Sequence, residues 1–227
     1  CALPIFYRPV HELPDSRWKD TGEHFSQELS NWRTEEYVIK VVPINTLEQG
    51  GAFTIVTNDG FIKQTTLSDM LPKAYKKKTS MAIKLKTDDS YVVNADYFET
   101  VGQQDVLLLS QHGVGLRFAV KSIPEIGART AGVKAMDLRN EDTIKAAVFV
   151  TNEAQRVAIM ADNGAFKYMP VSEITRSKRA NKGLLIFTQK KTVAYHVATA
   201  TILNIEDTAL EILTTRWQKR SEEHTSE

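Results

Sequence analysis

Lysines and arginines recur at matched places along this chain, and phosphate is the chemistry such a pattern serves. From Lys63 to Lys78 five basic residues (Lys63, Lys73, Lys76, Lys77, Lys78) stand against one acid, Asp69. From Lys167 to Lys191 seven (Lys167, Arg176, Lys178, Arg179, Lys182, Lys190, Lys191) stand against Glu173. The stretch between is poorer, with Arg117, Lys121 and Arg129 against Glu125. Binding a phosphate backbone needs cations presented along a track, on chain flexible enough to approach it. A single loop lysine is more economically read as a solvated side chain. Recurrence at equivalent positions is what favours a track.

Other chemistry is poorly represented. The chain has no G-x-S-x-G elbow, phosphate-binding P-loop or H-E-x-x-H pair. His11, His24, His112 and His196 are too scattered to suggest a metal centre. His112 reads as polar filler in a turn. His11-Glu12 reads as loop, because the matching residues elsewhere are Ser172-Glu173. Aromatic residues alternate with apolar ones in strands, so base-stacking platforms are not indicated. Tyr7 and Tyr168 read as packing residues.

The elements that must position the cations repeat every 51 to 53 residues. Phe53–Gly60, Leu107–Gly113 and Val157–Gly164 each run from an apolar strand into a turn closed by glycine. Gly60, Gly113 and Gly164 lie 53 and 51 residues apart, and a second landmark follows at Ser80, Gly132 and Gly183. These glycines, Gly183 included, are structural turn residues, since glycine alone takes positive φ without steric cost. The cations sit just after the first landmark and just before the second. Each copy reads strand, turn, strand, loop, strand, turn, strand, which predicts an all-β body of four-stranded blades around an axis. Full copies span about 52–99, 105–152 and 156–203. Tyr7-Arg8-Pro9-Val10-His11-Glu12-Leu13 matches Tyr168-Met169-Pro170-Val171-Ser172-Glu173-Ile174 at an offset of 161, so residues 1–50 read as a truncated blade. Leu210–Thr215 reads as the opening of another, over about 209–219. In a ring of blades the cations would fall on one rim.

Arg220–Glu227 (RSEEHTSE) matches the translation of a common sequencing adapter and reads as foreign; without it 28 basic and 25 acidic residues leave a net charge of +3, against +1 for the whole chain. Charge distribution, and not net charge, must therefore carry any nucleic-acid argument. No apolar run nears the ~20 residues of a membrane span. No secretory signal opens the chain, and one cysteine, Cys1, fits a reducing cytosol.

Ala131-Gly132-Val133-Lys134-Ala135-Met136-Asp137-Leu138 is typical of one family's third strand. So is Pro9-Val10-His11-Glu12-Leu13-Pro14 followed by Arg17-Trp18-Lys19-Asp20. Over about Leu3 to Lys219 the chain resembles the C-terminal β-pinwheel of bacterial type IIA topoisomerase A subunits. Gyrase members carry a Q-R-R-G-G-K-G box at the second landmark; here Lys178-Arg179-Ala180-Asn181-Lys182-Gly183 is a degenerate form. With Arg17-Trp18-Lys19-Asp20, this points within the family to the topoisomerase IV type of Gram-positive bacteria, with the gyrase wrapping domain as alternative. The resemblance implies a non-catalytic module that binds and bends duplex DNA and sets substrate choice. The DNA-cleaving tyrosine would lie in a separate domain. The parent enzyme would use ATP and Mg, pair with B subunits in an A2B2 assembly, and act at the bacterial nucleoid. It implies no cofactor and no membrane for the domain itself. The DNA-contact candidates are Lys63, Lys76, Lys77, Lys78, Arg117, Arg129, Lys167, Arg176, Lys178, Arg179 and Lys182. A propeller-like scaffold docking an acidic partner is the competing reading.

Overall fold

Each full copy opens with a hairpin whose tip glycine adopts positive φ: Gly60 at +79°, Gly113 at +83° and Gly164 at +83°. The computed structural model describes residues 2–27, 37–46, 49–71, 80–139, 141–188, 194–207, 209–210 and 212. In chain order the strands are β1 (Ala2–Ile5), β2 (Ala52–Thr57), β3 (Phe61–Thr66), β4 (Ser80–Lys84), β5 (Val92–Phe98), β6 (Asp105–Ser110) and β7 (Val114–Ala119). There follow β8 (Val133–Lys134), β9 (Ile144–Val150), β10 (Arg156–Ala161), β11 (Phe166–Pro170), β12 (Leu184–Leu185) and β13 (Val197–Leu203). One α-helical turn, α1 (Leu67–Met70), is capped by Thr66, whose hydroxyl accepts from the Asp69 amide at 3.3 Å. No helix among the described residues is long and apolar enough to cross a membrane.

The sheets do not coincide with the sequence copies. Two four-stranded sheets run β5-β2-β3-β8 and β9-β6-β7-β12, a third runs β13-β10-β11, and β1 pairs with β4. The third strand of every copy thus leaves its own hairpin and completes the preceding sheet. β8 pairs with β3 through Phe61↔Lys134 and Ile62↔Val133, and β12 pairs with β7 through Leu184↔Gly115 and Leu185↔Val114. The second landmark makes this crossing sterically feasible. Gly132 and Gly183 adopt φ of +84° and +77°, and a Cβ on either would lie 2.6 Å from a carbonyl of the preceding hairpin, that of Ile62 or Gly115. A side chain would push the crossing strand off the sheet edge. Among the described residues the outer edge of β11 carries no strand.

Because sheets stack on sheets, a central strand is buried on both faces and loses the usual alternation. Val106, Leu107, Leu108 and Leu109 of β6 are all 0% exposed. They still divide by parity. Val106 and Leu108 join Val56, Ile62 and Phe118 in the core towards the first copy, while Leu107 and Leu109 join Val157, Ile159 and Val197 in the core towards the third. A third core, with Ile55, Ile83 and Val92, lies between the β2 sheet and the β1–β4 pair, with Ile5 packed against it. Each leucine so buried contributes about 1.5–3 kcal/mol. The cores are therefore inter-sheet cores, and adjacent sheets cannot separate without exposing one.

Candidate nucleic-acid interface

The basic loop of the third copy is fastened to the second copy almost residue by residue. After the short 3-10 turn Val171–Glu173, Arg176 forms a parallel bridge with Arg117 of β7, and the Ser177 amide donates to the Arg117 carbonyl at 2.8 Å. The Ala180 amide donates to the Ala135 carbonyl at 2.7 Å, and the Asp137 amide to the Asn181 carbonyl at 2.9 Å. Ala180 takes a left-handed φ of +66° to do so. This backbone leaves Arg176, Lys178 and Lys182 exposed. Arg179 is half-buried: its Nη1 donates to the Lys134 carbonyl and its Nε to the Ser122 carbonyl at 3.4 Å. Beside the loop lies a cleft of about 630 Å³ lined by Arg117, Lys167, Arg176 and Lys182, with Asp137 and Glu173 as its acids.

Behind the loop is a buried ionic joint. Asp105, whose side chain is 2% exposed, accepts from Arg117 Nε at 2.8 Å and from Arg176 Nε at 2.9 Å. The Arg117 side chain is 4% exposed, and its Nη groups reach both oxygens of Glu153 and the carbonyls of Val171 and Ile174 at 3.1 and 3.3 Å. Burial alone would lower the Arg117 pKa, but the bond to Glu153 and the charge of Asp105 outweigh it and hold it above the ordinary arginine value. The same bond to Arg117 lowers the Glu153 carboxyl. Arg117 was expected on the rim as a phosphate contact; it is instead a buried internal ion-pair partner, 4% exposed.

Lys63 departs from expectation in the same way. It is 0% exposed, and its Nζ donates to the Ala82 carbonyl at 2.7 Å. Ala82 is the residue skipped where the β1–β4 register shifts, so the ladder leaves it without a partner and the ammonium supplies one. Lys167 makes the matching bond to the Ile186 carbonyl at 2.6 Å and is half-buried. Lys63 thus ties its hairpin to the crossing strand β4 of its own copy, and Lys167 ties its hairpin to the residue that follows β12. Burial lowers the Lys63 pKa to about 8, with Asp69 opposing the shift. Between pH 8 and about 10.5 the unfolded chain keeps a proton that the folded chain has released. Stability therefore rises with pH across that window, by up to roughly 3 kcal/mol from this residue. Urea unfolding of wild type and Lys63→Met at pH 7 and pH 10 checks it. Wild type is expected to gain on the variant as pH rises, and a constant difference would show that the lysine stays charged.

In the second copy the equivalent loop is held by backbone bonds and by the Thr65 hydroxyl, which donates to the Ile126 carbonyl at 2.8 Å. The Ile126 amide donates to the Gln64 carbonyl at 2.9 Å and the Lys84 amide to the Thr130 carbonyl at 3.1 Å. Arg129 is exposed and takes φ +72°, at the position Ala180 fills in the third copy. The candidates Lys76, Lys77 and Lys78, with Lys73, Lys190 and Lys191, lie outside the described residues, as does Arg220–Glu227. Of the Leu210–Thr215 strand only Leu210 and Ile212 are described, and neither is in a strand. Tyr168, expected as packing, is 46% exposed beneath the Arg156 guanidinium, which lies 4.4 Å from its ring centroid. His112 Nδ1 lies 3.0 Å from Asp142, and its ring meets that of His196 edge-on at 5.5 Å. Among the described residues no group of three or more His, Cys, Asp or Glu is arranged to hold a metal.

Asp105 and the two lysine-to-carbonyl bonds were not foreseen from sequence. A signal existed for the ionic joint. Arg117 sits between Leu116 and Phe118 in a strand short of other charge, and Asp105 opens the apolar run Val106–Leu109.

Comparison with known proteins converges on one family. The family model described as DNA gyrase C-terminal domain, beta-propeller, matches residues 54–96, 104–151 and 155–192. The A subunit of DNA topoisomerase 4 from Streptococcus pyogenes serotype M3 is 38% identical over 194 residues, 85% of this chain and 23% of that protein. Its counterpart from Bacillus subtilis strain 168 is 31% identical over 185 residues, 82% of this chain and 22% of the relative. The chain thus spans about a quarter of the length of these curated relatives. The crystal structure of the C-terminal domain of DNA topoisomerase IV superposes with a TM-score of 0.82 at 31% identity, covering 88% of this chain and 61% of that one. With the glycine-tipped hairpins, the stacked sheets and the strand that crosses between them, these matches show that the chain belongs to the DNA gyrase C-terminal β-propeller family.

Proposed function

We propose that this domain is a non-catalytic module that binds duplex DNA by its backbone. It would act within an A subunit of the topoisomerase IV type, joined to a B subunit in an A2B2 enzyme of the bacterial cytoplasm that uses ATP and Mg. The observation that carries the reading is the loop of the third copy. Its backbone is fixed to the preceding sheet, while Arg176, Lys178 and Lys182 face solvent beside a cationic cleft. A rigid array of cations suits phosphates, whose spacing is regular, and it reads shape and charge in preference to base edges. Arg129, exposed at the equivalent loop of the second copy, would add a further phosphate contact. By holding a bent segment, the domain would bias a cleavage core towards decatenation and relaxation of supercoils.

The test is equilibrium binding of the chain to random-sequence duplexes across a salt series. If about five phosphates are neutralised, log K is expected to fall with log salt at a slope of about −4 to −5. Affinity independent of salt, or no binding at low salt, would overturn the reading and leave the scaffold for an acidic partner.

A further inference from the structure

We infer that Asp105 is a positioning residue for the phosphate-binding surface, acting through Arg176; the inference rests on the DNA reading above. Asp105 is buried in one sheet, while Arg176 belongs to the loop of the next copy and is 55% exposed. The carboxylate takes only the Arg176 Nε. Among the described residues the two Nη groups of Arg176 have no hydrogen-bond partner, although Glu153 is near enough to feel the charge, so the guanidinium is held through Nε while the side chain stays half exposed. A guanidinium anchored in this way presents a planar pair of donors matched to two phosphate oxygens without first losing side-chain entropy. Arg117 makes the arrangement stiff. Its Nε shares the Asp105 Oδ2 with the Arg176 Nε, and its Nη1 fastens the start of the same loop through the Val171 and Ile174 carbonyls.

The neighbouring joint lacks this device at the same positions. In the same strand registers Gln64 replaces Arg117 and Ala52 replaces Asp105, and the loop residue bridged to Gln64 is Glu125 in place of Arg176. There the two loops share a backbone path but not a charge-bearing anchor. Gln64 Nε2 and the facing Thr54 hydroxyl are in fact buried without a hydrogen-bond partner. The two joints thus have different tasks, and only the one between the second and third copies orients a cation towards solvent.

The expected sign separates positioning from bulk charge. Asp105→Asn makes the chain more positive by one unit, which on charge alone would tighten DNA binding and steepen its salt dependence. Positioning requires the opposite: affinity weaker by about 5–10-fold and a slope shallower by about 1. Arg176→Ala should lose as much, and the double variant no more than either single change. Arg176→Lys keeps the charge and sits on the surface, so it retains the fold even if Asp105→Asn does not. Lysine cannot hold the carboxylate and offer a fork at once, so it should also lose about 5–10-fold. Glu141→Gln, the same charge change on an exposed turn, should bind as tightly as wild type or tighter. Tighter binding by Asp105→Asn, full affinity in Arg176→Lys, or additive losses in the double variant would overturn the role of Asp105 while leaving DNA binding intact. A wild-type chain that fails to bind DNA would instead remove the reading on which this role rests.

Discussion

Arg117→Ala is expected to lower the stability of the domain by about 3–5 kcal/mol, the range for removing one partner of a buried ion pair. The substitution strips Asp105 of one of its two cations while Asp105 remains 2% exposed. It also leaves the Val171 and Ile174 carbonyls without their guanidinium donor. Glu153 contributes less, because its side chain is 62% exposed and can turn to water. Denaturant unfolding monitored by tryptophan or circular dichroism measures the loss. A cost below about 1 kcal/mol would mean that the joint behaves as a surface salt bridge and that burial of Asp105 is not sustained in solution.

Replacing Lys178, Arg179 and Lys182 together with alanine is expected to weaken duplex binding by about 100–1000-fold near 0.1 M salt. It should also flatten the salt slope by roughly 2.5, close to 0.9 for each phosphate no longer neutralised. The loss should be similar for unrelated sequences, since backbone contacts carry no base information. The three residues are not equivalent. Lys178 and Lys182 are exposed and should each lower the slope by about 1 when changed singly. Arg179 also spends Nη1 on the Lys134 carbonyl, so Arg179→Ala combines a lost charge with a loosened loop. Filter binding or fluorescence anisotropy over a salt series reads both quantities. A triple variant that keeps the wild-type slope would place the DNA elsewhere on the domain.

The repeat made much of this architecture legible. Turn glycines and apolar runs mark the hairpins β2–β3, β6–β7 and β10–β11 in the sequence itself. What could not be read was the sheet to which each third strand belongs. A strand donated backwards by every copy leaves the same periodicity as a strand kept at home, so Val133-Lys134 and Leu184-Leu185 carry no mark of their destination. The cations were legible as a pattern but not individually. Lys63 lies in the run Phe61-Ile62-Lys63-Gln64-Thr65-Thr66, whose charge suggested solvent, yet neighbouring sheets cover it on both sides. Arg117 follows the same rule with a stronger signal, its neighbours Leu116 and Phe118 being large and apolar. The loop residues Lys178 and Lys182 read as exposed because nothing packs over a crossing loop.

The backward donation of strands also changes what counts as one unit of this chain. A cut between sequence copies, for example after residue 99 or 152, would sever a sheet, because β3 is closed by β8 and β7 by β12. The folding unit overlaps two sequence units, with three strands from one copy and the fourth from the next. A chain emerging from the ribosome would hold each sheet unfinished until the next hairpin and its loop had been made. Duplication of a single copy would therefore insert not a bead on a string but a link that must open its neighbour to enter.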